Sequence, residues 1–124
     1  MKYAKYAILL LLAVTPCFSQ AASGFTKIGN STTTAFTDST CTNQNTCYYQ
    51  VTAVDAQGFE SVPAPCGATQ LCVGGNIAVA IMPSSGTHTV GLAWTASATT
   101  GVTGYNVYRH VGPLAAGSLT ATVN

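Results

Sequence analysis

Charge is nearly absent from this chain. Only 6% of its 124 residues are Asp, Glu, Lys or Arg. Lys2 and Lys5 stand at the very start, which leaves Lys27 and Arg109 against Asp38, Asp55 and Glu60. Without a basic patch to neutralise phosphates, nucleic acid is excluded as a partner. Solubility must rest on Thr, Ser, Asn and Gln, and such a surface repels its own copies only weakly. Histidine is scarce too: His88 and His110 have no carboxylate or cysteine at ligand spacing, and the Ser84-Ser85-Gly86 hydroxyls have no base. Catalysis needs a nucleophile, a base and an orienting group together, and none can be named here. The expectation is a non-enzymatic protein without a cofactor or metal. Asp38, Asp55 and Glu60 match no calcium loop and are expected at turns or strand ends.

The two leading lysines precede an uninterrupted apolar run, Ala7 to Val14. That run is too short for the ~20 residues of a membrane span. Ser19-Gln20-Ala21 has the small-x-small character of a cleavage site. Residues 1–21 therefore read as a secretory signal peptide. Cys17 leaves with it, since Pro16 stands where a lipoprotein site needs a small residue. The product is expected to be secreted, extracellular or at the cell surface, with the periplasm as the alternative and no membrane attachment after processing.

Four cysteines remain: Cys41, Cys47, Cys66 and Cys72. An even number in an exported chain reads as disulfides. The local pairing Cys41–Cys47 and Cys66–Cys72 is preferred, because each pair brackets a short turn. Neither spacing is the Cys-x-x-Cys of a zinc site.

The rest of the chain alternates like β-strands. Cys47, Tyr49, Val51 and Ala53 alternate with Tyr48, Gln50, Thr52 and Val54. Similar runs fall at 77–82, 89–94 and 105–109, with a shorter Thr-rich one at 33–37. Asp55-Ala56-Gln57-Gly58 reads as a turn with positive φ at Gly58. Gly29-Asn30, Pro83 to Gly86 and Gly101 to Gly104 supply further turns. Short strands at this spacing predict an antiparallel β-sandwich.

Two blocks carry a resemblance. Thr89-Val90-Gly91-Leu92-Ala93-Trp94 with Val102-Thr103-Gly104-Tyr105-Asn106-Val107-Tyr108-Arg109 resembles strands B and C of a bacterial fibronectin type III domain. Tyr48 to Ser61 resembles its strand F, F–G turn and the start of strand G, while residues 35–38 resemble strand E and 76–83 the end of G. The order is permuted: residues 22–83 resemble the C-terminal half of one repeat and residues 84–124 the N-terminal half of the next. The resemblance implies an immunoglobulin-like sandwich with Trp94 in the core against Tyr49, Val51 and Tyr105. Where the family carries a strand-F tyrosine, this chain has Cys47, and a Cys41–Cys47 bridge would fasten the same corner. Tyr48 and Tyr108 alternate outward and are the candidate binding surface.

Gly117 to Asn124 also repeats Ser23 to Asn30 in pattern, so a strand is duplicated. If residues 77–82 end at the pole opposite the start of strand B, residues 83–87, which reach ~17 Å at most, barely return. Closure within one chain then needs strand G to end near Val62. Otherwise the second half completes another molecule head-to-tail. The expected function is a module for cell-surface structure, adhesion or protein–protein interaction, self-assembling by strand complementation. A carbohydrate-associated accessory module with a glycan partner, or a fragment of a tandem-repeat protein without function of its own, are the alternatives.

Overall fold

The structure is a computed structural model that describes residues 24–64 and 76–113, together with the strand backbones of Lys5–Tyr6 and Cys72–Val73. Eight strands appear in it: β1 (Lys5–Tyr6), β2 (Thr26–Ser31), β3 (Ala35–Asp38), β4 (Thr46–Asp55), β5 (Cys72–Val73), β6 (Ile77–Ile81), β7 (Val90–Ala93) and β8 (Val102–Val111). Among the described residues there is no helix. One sheet has the order β1-β7-β3 and the other β2-β8-β4-β6-β5. All pairings are antiparallel except β1 with β7.

The period-2 pattern decides which side chains meet. Cys47, Tyr49, Val51 and Ala53 of β4 face inward with Ala78 and Ala80 of β6 and Tyr105 and Val107 of β8. From the other sheet come Val90 and Leu92, followed by Trp94. Two sheets thus share one core, the arrangement of a β-sandwich. Trp94 is buried where the alternation puts it, its ring meeting Tyr105 edge-on at 5.3 Å between centroids.

Local turn chemistry is largely as the residues dictate. Gly58 has φ 88°, and the Asp55 carboxylate accepts from the Gln57 and Phe59 amides, closing the turn between β4 and its Glu60 bridge. One expected turn is strand instead, and the turn expected at Gly101 to Gly104 ends at Gly101, which has φ 90°. Gly29 and Asn30 belong to β2, and Gly104 to β8. Backbone crowding explains the glycines: a Cβ on Gly29 would stand 2.7 Å from the Phe36 ring, and one on Gly104 3.1 Å from the Ser31 carbonyl oxygen. Gly29→Ala should therefore push Phe36 off the core edge and cost ~1–3 kcal/mol, the usual range for overpacking. Urea denaturation checks this, and an unchanged midpoint would show that Phe36 moves freely.

The course of the chain between the halves differs from expectation. Thr46 lies opposite Ile81, so β6 ends where β4 begins. Asp38 lies opposite Val90, so β7 begins where β3 ends. Residues 39–45 join Asp38 to Thr46, so all four strand ends meet at one pole. The expected opposite poles are thus overturned, and no return path from Val62 is needed. The reason is direction: β6 and β7 are each antiparallel to one of the two strands that this corner connects. Residues 82–89 make the crossing and are tied to the corner by Gln44 N–H to Pro83 O (3.0 Å), Met82 N–H to Asn45 O (2.9 Å) and Asn43 Nδ2 to Gly86 O (3.1 Å). Strands from residues 26–81 consequently pair with strands from 90–111 inside one chain.

Candidate functional site

At the same pole a disulfide joins Cys41 and Cys47, with 6.3 Å between their Cα atoms and both residues buried. The Cys66–Cys72 pairing involves residues outside those described. Behind the bridge lies a carboxylate that the sequence placed at a strand end without a partner. Asp38 is 4% exposed. Its Oδ2 accepts from the Tyr49 hydroxyl and from Arg109 Nη1, both at 2.8 Å. Its Oδ1 accepts from the Thr40 amide at 2.8 Å and the Thr40 hydroxyl at 2.6 Å. Arg109 Nη1 also donates to Thr40 Oγ1. Burial would raise the Asp38 carboxyl, but the hydrogen bonds from Thr40, Arg109 and Tyr49 outweigh it and hold it below the usual carboxylate range. One signal did point here: Arg109 is in phase with Tyr105 and Val107, and an inward arginine needs a carboxylate.

The outer face of the larger sheet holds both candidate tyrosines. Tyr48 pairs across strands with His110, and Gln50 with Tyr108, so Tyr48 and Tyr108 are diagonal neighbours on adjacent strands. Both are half-buried. They do different things. The Tyr108 hydroxyl bonds both oxygens of Glu60 (2.8 and 2.7 Å), and Thr52 Oγ1 donates to the same carboxylate at 2.5 Å. Burial, then the Glu60 carboxylate, pushes the Tyr108 phenol up to about 12. Tyr108 is thereby committed to a polar network that includes buried Thr52, with buried Gln50 beside it.

Tyr48 instead joins an aromatic ledge that the sequence did not reveal. Its ring lies 6.1 Å from His110, and His110 lies 5.8 Å from Phe25, tilted by 47° and 42°. His110 Nδ1 faces the Gly24 carbonyl at 3.0 Å and Nε2 the Pro113 carbonyl at 2.9 Å, which fixes the ring between the chain entering β2 and the chain leaving β8. Ile81, 65% exposed, continues the ledge one diagonal step from Tyr48. The other histidine is elsewhere, with His88 Nε2 facing the Ser85 carbonyl at 2.6 Å. It edges an open concavity of about 460 Å³ lined by Ser39, Cys41, Thr42, Asn43, Gly86 and Thr87.

Asp38, Asp55 and Glu60 do not converge. One is in the Arg109 network, one closes a turn and one holds Tyr108. Among the described residues no group of three His, Cys, Asp or Glu side chains could hold a metal ion. What the geometry defines is an all-β, two-sheet protein with a disulfide-fastened corner and an aromatic ledge beside it. No protein-family model, no curated protein and no solved structure matches the chain.

Proposed function

We propose that this is a secreted, non-enzymatic β-sandwich module resembling a permuted fibronectin type III domain, acting in cell-surface structure or adhesion through protein contacts. The observation that carries this reading is the ledge of Phe25, His110, Tyr48 and exposed Ile81, on a face whose charged neighbours are Lys27 and the Glu60 carboxylate that holds Tyr108. Aromatic anchors with a polar rim are what a protein contact uses. The Cys41–Cys47 bridge supports an oxidising compartment. The strand order supports the family reading, because permuted halves can close on themselves when the joining segment reaches.

The test is export of the full chain from a bacterial host. The expected result is a product that begins near Ala22, carries the Cys41–Cys47 bridge and is retained at the cell surface. Tyr48→Ser with Ile81→Ser should reduce that retention severalfold without lowering the thermal midpoint. A reduced protein left in the cytoplasm, or retention indifferent to both substitutions, would falsify the proposal. The ledge also favours a second reading, a glycan-binding accessory module, since the half-buried Tyr48 and Phe25 rings each have an apolar body that a sugar face can cover. Saturable binding to a glycan panel, lost in Phe25→Ala and Tyr48→Ala, would replace adhesion by that reading.

A further inference from the structure

The central strand of the smaller sheet has only a short partner on one side. β7 pairs with β3 along its whole length, but on its other edge, among the described residues, with Lys5 and Tyr6 alone, opposite Gly91 and Leu92. Those two residues lie in the segment read as a signal peptide. The backbone groups at that edge can be identified. Trp94 N–H donates to Thr34 O in the β3 direction, so by strand alternation Val90 and Leu92 also point to β3. Gly91 and Ala93 therefore turn their N–H and C=O groups to the other edge. Their side-chain positions face away from the core, since Val90 and Leu92 are the buried ones. The strand itself has no guarding residue: Val-Gly-Leu-Ala carries no charge and no proline.

Residues 117–124 carry a matching sequence pattern. Leu119, Ala121 and Val123 alternate with Thr120 and Thr122, one apolar and one polar face, as a half-buried edge strand requires. The segment they repeat, β2, already occupies the place beside β8 in its own chain. The route from β8 to the far edge of β7 is also obstructed within one molecule. β8 ends at the disulfide pole, where Gly112 N–H bonds Thr46 O. The far side of β7 lies beyond both the 39–45 corner and the 82–89 crossing, which are hydrogen-bonded to each other. Connections at one end of a sheet do not cross in this way.

We propose that the outer edge of β7 is a strand-accepting site and that, once residues 1–21 are removed, it takes residues 117–124 of a second copy. The donor and acceptor are different surfaces, so the contact is head-to-tail and gives open chains or rings. This rests on the processing included in the proposed function and names the partner of that module.

Light scattering on oxidised residues 22–124 and on the full chain, across a concentration series, tests it. The processed form should grow in mass with concentration while the full chain does not. Gly91→Pro and Ala93→Pro each remove an N–H at the open edge without emptying the core, and Leu119→Asp with Val123→Asp spoils the donor. Each change should weaken assembly about tenfold or more, as gatekeepers on strand edges do. Near-UV circular dichroism confirms that each variant is folded. The donor variant leaves every described strand unchanged and serves if a proline variant unfolds. A cooperatively folded 22–124 that stays monomeric at high concentration overturns the proposal and leaves the adhesion reading standing. So does a dimer indifferent to the donor substitutions. An exported product that keeps residues 1–21 overturns both, and N-terminal mass analysis distinguishes that case.

Discussion

Trp94→Ala should cost ~3–5 kcal/mol, most of the stability of a marginal domain. The indole is 5% exposed and bridges the sheets, reaching from the end of β7 to Tyr105 of β8. Alanine would leave a cavity beside Tyr105 in the shared core that strands held by cross-strand hydrogen bonds cannot collapse to fill. The indole Nε1 is buried and has no hydrogen-bond partner among the described residues. An unsatisfied donor is itself a cost, so Trp94→Phe should lose clearly less than Trp94→Ala. The measurement is the thermal midpoint of both variants, with native fluorescence as a control. Emission that is already red-shifted and freely quenched in the folded protein would contradict a core indole.

The second large effect concerns Asp38. Removing Arg109, for instance as Arg109→Leu, leaves a 3%-exposed carboxylate without its cation. Breaking a buried pair from one side costs ~3–5 kcal/mol, and the low end applies because Arg109 keeps contact with solvent. The pH dependence has a definite sign. The folded carboxyl titrates below its ordinary value, so its contribution is complete above the unfolded value near ~3.9 and is lost as pH falls through the lowered folded value. Asp38→Asn should then be destabilised most at neutral pH, and the gap to the parent should narrow as the pH drops below ~4. Urea midpoints at pH 7 and pH 2.5 measure it. An equal gap at both would mean that the side chain matters for shape and not for charge.

Much of the fold was legible because a strand's alternation is a local property. Tyr49, Val51 and Ala53 declare a buried face without reference to any neighbour, and Val90, Leu92 and Trp94 declare the face they meet. The turn at Gly58 was legible for the same reason, since the Asp55 side chain and a positive φ close it within a few residues. Gly29 and Gly104 misled because a glycine serves equally in a turn and where another chain segment approaches closely. Only the positions of Phe36 and the Ser31 carbonyl tell these apart. The outer-face tyrosines were placed on the correct face, yet their roles diverge. Glu60 comes from the far side of the turn to engage Tyr108, while Tyr48 meets His110, which in turn meets Phe25.

By itself, then, the sequence determined the strand class, the inward set, the low charge and the cysteine pair that closes the corner, because each depends on residues a few positions apart. Tertiary structure decided what depends on long separations. It put Arg109 on Asp38, 71 residues away in the chain. It also brought the end of β6 and the start of β7 to one pole, so that the two halves close on each other within the chain. Pole and partner follow from the direction in which each strand runs, and alternation carries no information about direction.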